Sequence, residues 1–356
     1  DYERANLLIF NAAIGHDFNE ILRHARALVP HATVVVGSGC GIVGREGVSE
    51  TMKDIGLMVV EGNDFVVSHV DNILGNNAKE KSIELAQNLV STGKKPTSVY
   101  FLASGIDIDT NACIEGLEHI LGAETTIFGA TTSDNMKGVI SWQGLNGHLM
   151  TNGAIGIAFC DPELKVITQA SHGFRAYGMP LVVTSAKGNI IKEFNGRPAW
   201  KEYTSRLDMP TEATCGDTIP VGALGELLSP ALAKEYGNTH ILRVVTKHDG
   251  DDMYYATSVA EGTELWLTVR DEELIFRDME RMMLQLSSQL EGHEVVAVFH
   301  ADCLARGKFL FNKIIKEELV SKMQVPLYQN GICPPWLGMY GFGEFARLGG
   351  LNTFHN

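Results

Sequence analysis

Four side chains able to do chemistry crowd into seven residues of this chain: His300, Asp302, Cys303 and Arg306, within EVVAVFHADCLARG at 294–307. An apolar run at 295–299 precedes them and reads as a buried strand. A helical pattern follows from about 308 to 323. In an open α/β sheet, ligands sit where strand ends meet helix N-termini. Unpaired backbone N–H groups and the helix dipole there favour an anion or a thiolate. Cys303 thus offers a ligand contact or a nucleophile. Arg306 offers a two-pronged donor for a carboxylate. The plainer reading makes Cys303 an ordinary buried thiol and Arg306 an ion-pair partner.

More polar residues fall at expected strand ends: Cys40, Arg45, Ser133, Asp134, His172, Arg175, Tyr340 and Glu344. Glu344 or Asp134 can meet an amine, which with Arg306 would suit an amino-acid-like ligand. Alternatively, Arg306 and Glu344 bond each other and hold two halves together. His172 is equally suited to a core hydrogen bond. An enzyme would use Cys303 as nucleophile and His300 or Glu344 as base. His300 and Cys303 lie three apart, however, and on a strand such positions face opposite ways. A haem protein would need one axial histidine in an apolar pocket. The twelve histidines do not cluster along the sequence, and no metal site is expected.

The elements that must position these residues follow from periodicity and turn chemistry. Helical spacing predicts helices at 17–28, 78–89, 107–121, 198–206, 229–236 and 271–290, with Asp107 or Asp109, Ser229 and an acidic first turn as start signals. Met282 and Met283 suit the core of the last of these. Strands are expected at 7–10, 32–36, 56–60, 64–70, 98–102, 126–128, 138–142 and 153–159, from Leu164, and at 181–186, 190–194, 240–247, 253–259 and 263–269. KGN at 187–189 is a hairpin signal. GSGCGIVGREG at 37–47 reads as a glycine-rich turn; it lacks the GK[ST] ending of a phosphate loop. HDGDD at 248–252 lacks the terminal Glu of a calcium loop and reads as a solvated turn. Segments 98–134 and 294–330 both read as strand, turn, helix, strand, the second ending in VPLYQ at 325–329. A duplication would bring two loop ends together around a cleft. Hairpins interleaved with βαβ units predict an α/β fold of mixed α+β type, with two related halves, largely central mixed β-sheets and flanking helices.

A net charge of −14 excludes a general nucleic-acid binder and docking on anionic lipid. No apolar run approaches the ~20 residues of a membrane span. The opening DYERANLLIF carries no signal-peptide pattern. The six cysteines form no CxxC pair, which suits a reduced, cytoplasmic protein.

Several motifs, in order, resemble the FIST sensory domain family along nearly the whole chain. GSGCGIVGREG resembles its Gly-Cys turn, and TTIFGATTSDN at 125–135 its Phe-Gly-Gly…Asp segment. The stretch from SHGFRAYG to NGRPAWKEY at 171–203 resembles its hairpin and Gly-x-Pro-Ala helix. VFHADCLARG resembles its Cys-x-x-Arg-Gly turn, and GMYGFGEF with FHN its ending. CPPWL at 333–337 departs as an insertion, and Arg45 and Glu46 stand where many relatives carry Thr and Ser. The resemblance implies an N-terminal-type domain at 1–207 and a C-terminal-type domain at 208–356. It implies a sensory, signal-transducing module with a small-molecule ligand and a signalling protein as partner. Some members of the family resemble haem-binding gas sensors. The ligand is expected between the halves, near Cys303, Arg306 and Glu344, with Asp134, Tyr340, Cys40, Arg45 and His172 as further contacts.

Overall fold

The computed structural model describes residues 2–135, 137–306 and 313–356. Three strand–helix–strand units with parallel strands give the fold its frame. In the first, Leu7–Ala13 pairs with Thr33–Gly39 through the helix Phe18–Leu28. The Asp17 carboxylate accepts the Asn19 and Glu20 amides, which starts that helix. Phe18, Leu22 and Ala25 form its buried face. In the second, Ser98–Ser104 pairs with Thr126–Thr132 through Thr110–Leu121, and Asp109 is the cap. In the third, Val298–Cys303 pairs with Trp336–Gly341 after the helix Lys313–Gln324.

The sheets interleave distant parts of the chain. Gly343–Leu348 and Leu351–His355 extend the sheet of Ser98–Ser104 and Thr126–Thr132, so the final hairpin sits in a sheet otherwise built before residue 160. Trp336–Gly341 pairs with Ile42–Gly44. Another sheet takes Phe174–Lys187 and Ile190–Phe194 from one side of position 207 and strands from 223 to 270 from the other. The fold is α/β of mixed α+β type, with parallel and antiparallel pairs in one sheet. The helix Glu272–Gln289 covers a core in which Met279, Met282 and Met283 meet Val320 and Met323.

Several expected elements are replaced, each for a visible reason. GSGCGIVGREG is no loop: the strand runs to Gly39, and Ile42–Gly44 and Gly47–Ser49 form a hairpin around Arg45 and Glu46. The strand expected at 138–142 starts only at Gln143, because the Asp134 carboxylate gathers the amides of Lys137, Gly138, Val139 and Ile140 into a loop. The strand expected from Leu164 is irregular chain, fixed by Thr168, whose hydroxyl donates to the Arg347 carbonyl and accepts the Arg347 amide. VPLYQ holds the 3₁₀ turn Val325–Leu327, since Pro326 has no N–H to give a ladder. The parallel partner comes later, at Trp336–Gly341, which begins at the end of CPPWL and runs into GMYG. The strand expected at 295–299 lies further on, at Val298–Cys303. The helix start near 308 lies outside the described residues.

Phe345 locks the final hairpin onto the earlier sheet. Its ring meets Phe101 edge-on at 5.1 Å and Phe354 at 5.0 Å, and it is 3% exposed. Phe345→Ala should cost about 3–5 kcal/mol of stability, measured by urea denaturation. A loss below 1 kcal/mol would show the hairpin docks by backbone pairing alone.

Candidate functional site

The strand Val298–Cys303 carries alternate side chains to opposite faces. Phe299 faces the aromatic cluster of Tyr100, Phe128 and Phe159, with ring centroids 4.8–6.5 Å away. His300 stands edge-on to Trp336 at 5.8 Å. Cys303 closes this strand, so it shares the face of Phe299 and not that of His300.

Asp302 is 4% exposed. Its carboxylate accepts Arg306 Nε at 2.9 Å and Nη2 at 3.1 Å, a two-pronged pair. Arg306 Nη1 donates to the Ser171 carbonyl at 3.3 Å, and His300 Nε2 lies 3.4 Å from Asp302. Burial disfavours the Asp302 charge, but Arg306 and His300 outweigh it and hold the carboxyl below its ordinary range.

Glu344 is the contrast. It sits between Ala130 and His355 in its sheet, and its Oε1 is buried with no hydrogen-bond partner among the described residues. Burial, helped by the Asp302 charge, pushes its pKa far above the carboxylate range. The shift favours its protonated form. Cys303 is likewise a thiol and not a thiolate: burial first, then Glu344, pushes its pKa up.

His172, Tyr236 and His355 complete this polar end. The His172–Tyr236 and Tyr236–His355 ring centroids lie 5.3 and 5.0 Å apart. His172 Nδ1 accepts the Phe174 amide, and Nε2 donates to the His240 carbonyl, both at 2.8 Å. Burial takes its pKa down to about 4. With both nitrogens committed, His172 does not fit the axial position of a haem iron. His355 Nε2 bonds the Thr353 hydroxyl at 2.7 Å, and burial takes its pKa down to about 3.

These groups line one cavity of about 740 Å³, which falls within the range of small-molecule sites. The aromatics around Phe299 form another part of its wall, and the irregular chain 164–172 a third. Cys303, Arg306, Glu344 and His172 are all on this lining. Tyr340 stands beside Asp302 in the parallel register and is buried, and it is not part of the lining. Cys40 is buried too, its amide bonded to the Tyr340 carbonyl at 2.9 Å. Asp134 is spent on its loop, and Arg45 is exposed on its hairpin turn. The fold therefore brings four of the eight expected contacts to one lining and leaves the other four outside it. Sequence reading underrated Asp302, Ser171 and Tyr236. Asp302 was legible through its four-residue spacing from Arg306, whereas Ser171 and Tyr236 gave no signal short of the fold.

Residues 6–197 match the FIST N domain and residues 199–347 the FIST C domain. An uncharacterised protein of Mycobacterium bovis is 24% identical over 212 residues, covering 58% of this chain and 52% of its own length. An uncharacterised protein of Mycobacterium tuberculosis is 23% identical over 253 residues, covering 69% of this chain and 62% of its own length. The chain thus spans little more than half the length of the curated relatives it matches. No helix among the described residues is long and apolar enough to cross a membrane.

A raised carboxyl pKa in the folded state makes stability fall as pH rises above the unfolded value. Glu344→Gln should remove this dependence. Its unfolding free energy relative to the natural chain should grow from pH 5 to pH 8 in urea titrations. A constant difference across that interval would mean that Glu344 is already ionised at pH 5.

Proposed function

We propose, for a chain that belongs to the FIST family of sensory and signal-transduction domains, that it is a receptor for a small molecule with an apolar body and an amine head. The observation that carries this reading is Glu344, a buried carboxyl with a free oxygen on a cavity that also has an aromatic wall. A polar atom buried without a partner costs about 1–3 kcal/mol. A ligand N–H would recover that. An ammonium would do more, because it would draw Glu344 into its ionised form and pair with it.

An amino-acid-like ligand satisfies the remaining groups. Its amine meets Glu344, and its side chain lies among Phe128, Phe159 and Phe299. Of the five Arg306 N–H bonds, three go to Asp302 and Ser171, leaving two for a carboxylate. Arg306 is thus first an anchor for Asp302 and second a ligand contact. The protonated Cys303 supports binding over nucleophilic catalysis. Six cysteines without a disulfide suit the cytoplasm, and the ligand signal would pass to a signalling protein.

Mass spectrometry of small molecules released from the purified protein tests the reading directly. A compound with a basic nitrogen is expected. Its affinity should fall roughly 10- to 100-fold in Glu344→Gln. Its binding enthalpy should vary with buffer ionisation as Glu344 releases a proton, and this variation should vanish in the variant. A ligand lacking any amine, or equal affinity in both proteins, refutes it.

Arg306→Ala separates anchor from contact. It leaves Asp302 buried without its guanidinium partner, so stability should fall by about 3–5 kcal/mol even without ligand. Retention of full thermal stability would make Arg306 a ligand contact only.

A further inference from the structure

We propose that His69, Asp71 and His148 form a binding site for a divalent first-row transition ion, with zinc the first to test. The histidines are 79 positions apart, and the fold brings their rings to 4.9 Å. His69 lies near the end of Phe65–Val70, an edge strand of the six-stranded sheet. His148 opens His148–Met150, an edge strand of the five-stranded sheet. Asp71 follows the first of these strands directly and reaches across to the second.

One donor atom from each residue lies within 4.8 Å of the other two. The Asp71 carboxylate is 2.9 and 3.1 Å from His148 Nε2, and 3.9 Å from His69 Nε2. Both imidazoles therefore aim the same nitrogen at one carboxylate. A tetrahedral ion with bonds of about 2.0–2.1 Å holds its ligand atoms roughly 3.3 Å apart. Side-chain adjustments of about 1 Å would close the set around an ion. Two imidazoles and a carboxylate suit zinc, cobalt, nickel or iron better than calcium or magnesium, which prefer all-oxygen shells.

The surroundings agree. Lys81, close enough to feel Asp71, is held by Glu84 at 2.8 Å. All three side chains are between one-third and one-half exposed, which leaves room for water to complete the shell. An ion here would join two sheets that share no strand pairing, and it would stabilise the folded chain by mass action.

The test uses the full chain, reduced, stripped with chelator and titrated with zinc or cobalt alone. One equivalent should bind, and the melting temperature should rise with metal. His148→Ala, His69→Ala and Asp71→Asn should each weaken binding by roughly tenfold or more and lose the thermal shift. All three positions are partly exposed, and far-UV circular dichroism checks that each variant folds. Should one fail to fold, the other two carry the comparison. Absence of uptake by the folded chain overturns the proposal. So does equal uptake by the folded variants, which would place the metal on the cysteines instead.

Discussion

The Asp302–Arg306 pair is the interaction on which the cavity's chemistry depends. Two charges out of water repay their desolvation only when the geometry is good and the other lone pairs are served. Here the carboxylate takes two guanidinium N–H bonds, and His300 lies beside it. The pair fixes the end of Val298–Cys303 against the chain at Ser171, which joins two elements 135 residues apart. It also sets the state of its neighbours. A second anion beside Asp302 is unfavourable, which adds to burial in raising the pKa of Glu344 and of Cys303.

This division between two carboxyls gives the cavity a definite character. One is paired and held toward its ionised form; the other is pushed toward its neutral form and has an oxygen without a partner among the described residues. A purely structural site would be expected to satisfy both, since buried polar groups normally find partners. The cost of the free Glu344 oxygen is small enough for a folded protein to carry and large enough to favour a ligand that relieves it. Around it, Phe299, Tyr100, Phe128 and Phe159 provide apolar area whose burial adds affinity without demanding a particular atom.

What the sequence disclosed was local. The KGN hairpin at 187–189, the Asp109 and Ser229 caps and the buried face of Phe18–Leu28 follow from turn chemistry and helical spacing, and each is present. What it withheld was pairing. Nothing near Trp336 announces a parallel partnership with Val298–Cys303, and nothing in GEFARLGGLNTFH announces insertion beside Thr126–Thr132. Strand partners are chosen by long-range packing. The Asp134 loop was hidden for another reason: a carboxylate collecting four amides competes with strand formation, and periodicity does not register it. Cys303, Arg306 and Glu344 could be gathered from their positions at strand ends. That Arg306 also reaches the Ser171 carbonyl could not, because it depends on how the chain turns after Cys303.

The interleaved sheets also bear on how a bound molecule would be felt. Cys303 ends, and Arg306 follows, a strand paired to Trp336–Gly341, and Glu344 lies on the next strand, which enters the sheet of Thr126–Thr132. A ligand touching both would bridge the four-stranded and six-stranded sheets. It can bias their arrangement only by its difference in affinity for the two states. Ionisation of Glu344 would supply such a difference for an amine ligand, since its carboxylate would be favoured only while an ammonium pairs with it. Under the proposed reading, the bound and free sites would differ by one proton on Glu344, between two sheets that the ligand would touch together.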